Sequence, residues 1–492
     1  MPPARHPLLL PISSQYCTLL VTRGEGSATD MYGSLPICYP SVSSRCYAAE
    51  PGSVATMARV TPTTDAVISS FRLDNGLEVV MSPERSSPTV GVGVFYRVGF
   101  RLEPEGRTGF AHLFEHLMFQ GTPRVPKPHF GNLINSAGGL LNGFTRHDYT
   151  AYFEILPTSA LEMALFLEAD RMGMLDINAG TLRNQLQVVE EEVRVNVLNQ
   201  PYGGFSWLWL AQHAFSRYPN NHNFYGEFSD LEAASVDDAV EFYRSWYGPG
   251  NASLVLVGDF DPAAAVQLVE HHFGPVAPRP EPPQRDLEEP LPASRREHRH
   301  LDPLAPTAQV AVGYPTAPFG SEDHLPLALA ARILTDGRAS WLQRALVREQ
   351  ELLLHVAGGP LYPIGDSFEF RGPALFTIEA TPREGVPTEN AVLALDRELD
   401  RLAAHGPTEE ELHRARRREL ARHHATTDSR LGRLTTLGVM AAVHRQPELV
   451  DLLPQRFAEV TPAQVAEAVG RWLRPERSTV LHWLPGAGGD RR

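Results

Sequence analysis

A proline-dense tract between residues 274 and 292 constrains the fold of this 492-residue chain more than any other feature. Proline lacks a backbone N–H and has a fixed φ, so neither a helix nor a central strand can cross such a tract. We expect an extended, semi-rigid linker there, with about 200 patterned residues on each side, enough for two hydrophobic cores. The prolines are Pro275, Pro278, Pro280, Pro282, Pro283, Pro290 and Pro292.

The patterned elements on the two sides of this linker follow the same order. A hairpin turn at Asn75–Gly76 precedes a strand over 90–98 and a helix over 109–119. After the linker, a strand over 309–314 precedes a helix over 326–335. The parallel predicts two copies of one α+β unit, although any two α+β domains offer a strand followed by a helix. The expected organisation is a disordered leader at 1–64, a first domain at 65–274, a linker at 275–300 and a second domain at 301–486.

Charge and cysteine content exclude several classes of protein. A net charge of −14 offers no basic surface for nucleic acid, and no apolar run of about 18 residues predicts a membrane span. Because Cys17, Cys38 and Cys46 all precede residue 50, a metal in the main body must use His and carboxylate ligands. The leader lacks the apolar core of a secretory signal, so we expect a cytoplasmic location; a weak organelle-targeting peptide is the alternative.

The pentad His–Leu–Phe–Glu–His at residues 112–116 is the clearest chemical signal. On a helix, His112 and His116 lie on one face, and Glu115 flanks them. Burying these ionisable groups is costly unless something pairs with them, and a divalent cation would do so. Two imidazoles, one more carboxylate and an open position make a catalytic zinc site. A hydrogen-bonded pair of core histidines and an exposed i,i+4 cluster are the alternatives, and the apolar neighbours of the pentad disfavour the second.

A third metal ligand must come from elsewhere, and the next acidic cluster on a predicted helix is Glu190–Glu191–Glu192. The apolar stripe of that helix turns Glu191 toward solvent, while Glu190 and Glu192 flank the stripe. Periodicity does not choose between these two, and a run of charges is most often a solvated face.

At this point the sequence resembles the pitrilysin/insulinase (M16) metallopeptidases, whose inverted zinc motif is similar to residues 109–122. The resemblance covers about residues 69 to 486. It implies an α+β fold of two homologous α/β-sandwich halves (LuxS/metallohydrolase-like, M16 type) joined by the proline-rich linker, and a chamber between the halves. Further similar segments are Leu73–Leu77, Asn142–Thr145 with Tyr149, Val188–Arg194, Asn199–Gly203, Tyr247–Asn251 and Gly258–Phe260.

The same resemblance implies roles for individual residues. In that family the third ligand follows the second His by some seventy-six residues, and this position is Glu192. One Zn²⁺ per chain would then be held by His112, His116 and Glu192, with Glu115 as the general base. Asn142 matches a substrate-contacting Asn, although a turn-forming Asn before Gly143 is the alternative. Gln185 stands where many relatives have a Glu that supports the ligands.

One departure from the family pattern bears on partners. Active relatives use an Arg and a Tyr from the second half to steady the substrate and the oxyanion, but the second half here contains only Tyr314 and Tyr362, neither in that spacing. We therefore expect a dimer, and hypothesise a heterodimer in which a related chain supplies Arg and Tyr. The expected function is a zinc endopeptidase acting on oligopeptides or unfolded segments in an enclosed chamber. The alternative is a non-catalytic or partner-dependent subunit of a processing complex.

Overall fold

The computed structural model describes residues 68–486, and the predicted leader lies outside them. Six strands of the first half form one sheet in the order β1-β2-β6-β3-β5-β4. They are β1 (Ser69–Arg72), β2 (Glu78–Pro83), β3 (Thr89–Tyr96), β4 (Leu140–Thr145), β5 (Thr150–Pro157) and β6 (Ala252–Gly258). Its helices are α1 (Phe110–Leu117), α2 (His129–Ser136), α3 (Leu161–Gly173), α4 (Ala179–Val193), α5 (Leu210–Ala214), α6 (Tyr218–Asn221), α7 (Phe228–Glu232), α8 (Val236–Trp246) and α9 (Pro262–Phe273).

Five strands of the second half form a second sheet in the order β7-β11-β8-β10-β9. They are β7 (Arg296–Asp302), β8 (Gln309–Pro315), β9 (Leu353–Pro360), β10 (Leu375–Pro382) and β11 (Thr479–Pro485). The helices of this half are α10 (His324–Thr335), α11 (Thr388–His405), α12 (Glu409–Thr427), α13 (Arg430–Ala442), α14 (Leu449–Glu459) and α15 (Pro462–Trp472).

Five strands of the first sheet have the same topology as the second sheet, and β1 is an additional edge strand of the first. In the first, β2 runs parallel to β6, and β6, β3, β5 and β4 pair antiparallel in that order. In the second, β7 runs parallel to β11, and β11, β8, β10 and β9 pair antiparallel in the same order. Such agreement in strand order and direction confirms the predicted duplication of one α+β unit.

The proline-rich tract separates the two sheets as expected, with one difference at its end. Residues 275–295 contain neither helix nor strand. The predicted linker was too long, because residues 296–300 belong to β7, an edge strand along which exposed side chains alternate with partly buried ones. An edge strand with one solvated face needs few apolar residues, so its sequence resembles a linker.

Each sheet is covered on one face by a helix of the other half. α13 packs across β3 and β6, while α5 packs against β8 and β11. Glycines allow this close approach, because a Cβ on Gly91 of β3 would lie 3.2 Å from Leu434 and a Cβ on Gly313 of β8 would lie 3.0 Å from Leu210. The two hydrophobic cores are therefore continuous across the halves, and β3 is an almost unbroken apolar strand because both of its faces are buried.

Two further features of the described residues bear on function. Within residues 68–486, no helix is long and apolar enough to cross a membrane. A cavity of about 820 Å³ lies between the halves, lined by the linker and by residues such as Arg97 and Arg445. The residues of the predicted metal site do not line this cavity.

Candidate metal centre

The helix that carries the pentad is held at its N-terminus by a buried carboxylate. Glu103 accepts hydrogen bonds from the backbone N–H groups of Gly109 and Ala111, both at 2.8 Å. Its Oε2 also lies 3.0 Å from Nε2 of His222. A carboxylate at this end satisfies two backbone donors and complements the helix dipole. The position of α1, and with it the position of the histidines, is therefore fixed from within the protein.

The three predicted ligands come together where α1 crosses α4. The Nε2 atoms of His112 and His116 lie 3.3 Å apart. Oε2 of Glu192 lies 3.3 Å from Nε2 of His116 and 3.7 Å from Nε2 of His112. Within residues 68–486 this is the only group of three His, Cys, Asp or Glu residues close enough to share one ion.

The neighbouring acids of α4 point elsewhere, which resolves the ambiguity left by periodicity. Glu190 pairs with Arg194 at 3.1 Å, and the side chain of Glu191 is 67% exposed. Glu192 alone of the three faces the histidines.

The arrangement of donor atoms fits a tetrahedral zinc ion. Bonds of about 2.0 to 2.1 Å at tetrahedral angles place neighbouring ligand atoms about 3.3 Å apart, close to the 3.3, 3.3 and 3.7 Å observed. Burial, reinforced by the neighbouring His116, lowers the pKa of His112 to about 4. The imidazole is then neutral at physiological pH, as a metal ligand must be.

Glu115 lies beside this group and has a different environment. Its side chain is buried, and burial raises its pKa to about 7. Oε2 accepts a hydrogen bond from Thr145 Oγ1 at 2.8 Å. A carboxyl group with a pKa near neutrality can both accept and release a proton at physiological pH, which is the property required of a general base that later acts as an acid.

The two remaining predicted residues have local partners. Asn142 lies on β4, the edge strand of the first sheet, and its Oδ1 accepts from the backbone N–H of Gly143 at 2.9 Å. The amide of Gln185 donates to Asn184 Oδ1 at 2.6 Å. A substrate contact for Asn142 and a contact between Gln185 and a ligand stay predictions.

Several residues of the site carried no recognisable signal in the sequence. Thr145 bonds to Glu115, which is 30 positions away. Glu103 bonds to backbone groups 6 and 8 positions away, and His222 bonds to Glu103 over 119 positions. The ring of Tyr225 lies 5.0 Å from that of His112. Thr145 belongs to a segment that matches the family, so alignment could have drawn attention to it; the others depend on tertiary contacts alone.

Family models of two M16 domains match most of the patterned chain. The profile described as "Insulinase (Peptidase family M16)" matches residues 78–202, and "Peptidase M16 inactive domain" matches residues 233–419. The first match contains the three metal-ligand candidates and Glu115.

Named relatives include both proteases and subunits of complexes. The zinc protease PqqE of Helicobacter pylori is 31% identical over 58% of this chain and 64% of its own length. Cytochrome b-c1 complex subunit 1 of Homo sapiens is 26% identical over 53% of this chain and 54% of its own length. The mitochondrial-processing peptidase subunit beta of Lentinula edodes is 26% identical over 56% and 58%, respectively. The chain thus spans between about half and two thirds of the length of these relatives.

Solved structures share the fold over a greater length. The crystal structure of a protease from Helicobacter pylori superposes with a TM-score of 0.79 and 24% identity, covering 85% of this chain and all of that one. A putative M16-like peptidase from Alicyclobacillus acidocaldarius superposes with a TM-score of 0.72 and 17% identity, covering 86% and 99%.

Proposed function

The chain belongs to the insulinase (M16) family of peptidases, and from this premise we propose that it is a zinc-dependent endopeptidase that hydrolyses oligopeptides or unfolded segments in an enclosed chamber. The observation that carries the proposal is the convergence of His112, His116 and Glu192 on one point, with Glu115 beside them. A site that only bound metal would have no need of this second, buried carboxyl group.

In the proposed reaction His112, His116 and Glu192 would hold one zinc ion, which would supply Lewis acidity toward water and the scissile carbonyl. Glu115 accepts a proton from the attacking water and delivers it to the leaving amine. Because Thr145 donates to Oε2, Oε1 of Glu115 is the oxygen left to handle this proton.

The edge of the first sheet is the proposed docking site for the peptide backbone. β4 pairs with β5 on one side only and ends the sheet. An extended peptide can add to such an edge through main-chain hydrogen bonds, which give affinity with loose side-chain preference. Asn142 lies on this strand, and we propose that its amide turns from Gly143 to the substrate when a peptide binds.

Glu115→Gln tests the proposed chemistry, with Glu191→Gln as a matched control on an exposed acid. We expect Glu115→Gln to keep one equivalent of zinc while kcat for an unstructured fluorogenic peptide falls by at least about a hundredfold, because the proton acceptor is lost. Glu191→Gln should match the wild type in both respects. Wild-type kcat in the Glu115→Gln variant would show that the general base has been assigned wrongly.

A partner-dependent function is the second candidate, and the second half of the chain favours it. Tyr314 is fully buried in the core, and Tyr362 is half-buried on the loop after β9. Two of the relatives are named as subunits of a mitochondrial complex and of a processing peptidase. We propose that the active form is a dimer, with a related chain that supplies an Arg and a Tyr to the zinc site of this one.

Peptidase assays of the purified chain, alone and mixed with any related chain encoded beside it, separate the two candidates. Full turnover by the chain alone would rule out the partner requirement. Zinc binding without turnover in either sample would favour a non-catalytic subunit. The cytoplasmic location is part of the proposal, and fractionation of cells that express the chain tests it.

A further inference from the structure

A loop of the second half holds the β-hairpin that contacts the general base. Tyr149, in the turn between β4 and β5, donates its hydroxyl to Oε1 of Glu369 at 2.8 Å. Arg146, in the same turn, lies with its Nε 3.7 Å from the same oxygen. We propose that Glu369 is a positioning residue for Glu115, acting through the hairpin turn at residues 145–150. The proposal rests on the peptidase function proposed above.

The hairpin connects Glu369 to the general base through few bonds. Thr145, which begins the turn, donates to Glu115 Oε2 at 2.8 Å. The turn is closed by the backbone N–H of Arg146, which donates to the carbonyl of Tyr149 at 2.8 Å. A displacement of Tyr149 or Arg146 is therefore transmitted directly to the hydroxyl that orients Glu115.

The Glu369 carboxylate is itself fixed. Its Oε2 accepts from the backbone N–H of Asp366 at 3.1 Å. Asp366 in turn pairs with Arg422 of α12 at 3.1 Å. Burial raises the pKa of Glu369, partly offset by the guanidinium of Arg146. The chain of contacts from Tyr149 through Glu369 and Asp366 thus ends on α12, a helix of the second half, and not on a free loop.

A second contact brings the same loop onto the same turn. Oδ2 of Asp148 accepts from the backbone N–H of Arg371 at 2.6 Å. The buried Arg101 lies 3.6 Å from Asp148 and also donates to the carbonyl of Pro373. Each half contributes one carboxylate to the other, Asp148 from the first and Glu369 from the second, so the turn is held at two points.

Such positioning matters because a general base must lie within about 2.6 to 3.2 Å of the proton it takes. A misplacement of about 1 Å can reduce the rate by up to about a hundredfold. Glu369 contacts neither the ligand atoms nor the part of β4 that carries Asn142. Its loss should therefore lower kcat and leave zinc content and KM nearly unchanged.

The test uses Glu369→Ala, the nearly isosteric Tyr149→Phe, and the double variant. Both singles should lower kcat by about five- to tenfold, with KM changed less than about twofold. The double variant should lower kcat no further than the stronger single, because both changes break one contact. Hydrogen exchange of the amides at 145–150 should quicken in all three. The control is Glu379→Gln, an acid of the same half that bonds to Ser206, and it should match the wild type in kcat and in exchange at the turn.

Each outcome decides the matter. Unchanged hydrogen exchange at 145–150 in Tyr149→Phe and Glu369→Ala would show that Glu369 does not hold the turn, whatever the activity. Faster exchange with wild-type kcat would overturn the positioning role and leave the peptidase function intact. Additive losses in the double variant would also contradict it, since they would show two separate effects. A wild-type enzyme without zinc-dependent turnover would refute the proposed function itself, and the exchange data would still report whether the contact exists.

Discussion

The two halves share one topology and differ most where their paired helices cross. In the first half, α1 and α4 bring together His112, His116 and Glu192. In the second half, α10 and α12 bring together Arg332 and Glu419, with Nε and Oε2 2.7 Å apart. Arg422 also pairs with Glu419. The carboxylate of the second half is thus neutralised by guanidinium groups, whereas the carboxylate of the first half lies beside two imidazoles in the proposed metal site.

The pKa of Glu419 shows how strongly the two arginines stabilise its charged form. Burial raises its pKa, but Arg422 and Arg332 outweigh burial and bring the pKa below its ordinary value. A buried carboxylate needs such partners because an unpaired one is costly. The duplicated fold therefore places two different sets of side chains at one helix crossing, the proposed metal ligands in one half and arginines with a glutamate in the other.

Replacement of the two acids with glutamine should separate these roles most sharply. Glu192→Gln removes the anionic ligand, so we expect loss of bound zinc and a fall in kcat/KM of at least about a hundredfold. Glu419→Gln should keep one equivalent of zinc, because no ligand is touched. Metal analysis by mass spectrometry and peptidase assays measure both. Stoichiometric zinc in Glu192→Gln, or zinc loss in Glu419→Gln, would contradict the comparison.

The part of this picture that the sequence could predict is the part encoded locally. The pentad fixes His112, Glu115 and His116 on one helix because helical spacing is a local property. Periodicity could not select Glu192 over Glu190, since that choice depends on how α4 crosses α1; only the family resemblance indicated it. The pair of Arg332 and Glu419 in the second half could not be predicted, because the two residues are 87 positions apart and meet only where α10 crosses α12.

The fold shows the same division. Strands and helices were predictable from alternation and helical spacing, and the linker from its prolines. The exchange of α5 and α13 between the halves was not, because their apolar faces do not reveal which sheet they cover. The sequence also could not show that the cavity lined by Arg97 and Arg445 is not lined by the residues of the metal site, because both depend on how the halves pack.

The arginine-based crossing should also contribute measurably to stability. In Glu419→Gln the guanidinium groups of Arg332 and Arg422 lose a buried partner, although Arg422 keeps Asp366. Breaking a buried ion pair costs up to about 3 to 5 kcal/mol, and the partial exposure of both arginines should reduce this to about 2 kcal/mol. Urea denaturation measures the change. Glu410→Gln on the same helix breaks only an exposed pair with Arg414 and should change the free energy of unfolding by less than about 0.5 kcal/mol.

A glycine of α13, which packs on the first sheet, can be compared with a glycine of α15 in the same half. A Cβ on Gly438 of α13 would lie 2.1 to 2.3 Å from ring atoms of the buried Phe95 of β3. Gly438→Ala should therefore destabilise the protein by about 1 to 3 kcal/mol through overpacking. Gly470→Ala, also in a helix, meets only Ala403 at 3.5 Å and should stabilise by up to about 1 kcal/mol. Equal effects of the two substitutions would mean that α13 does not press on the first sheet.

The packing of α5 on the second sheet differs from that of α13 on the first, because it buries a carboxyl group. Glu379 of β10 accepts a hydrogen bond from Ser206, which precedes α5, and burial raises its pKa to about 7. The folded state then holds this proton more tightly than the unfolded state, so stability present below the unfolded pKa is lost as pH rises toward 7. Allowing for partial exposure, we expect the wild type to lose about 1 to 2 kcal/mol between about pH 4.5 and 7 from this group. In Glu379→Gln that contribution should disappear, and chemical denaturation at several pH values checks it; an unchanged pH profile would show that Glu379 is ionised in the folded protein.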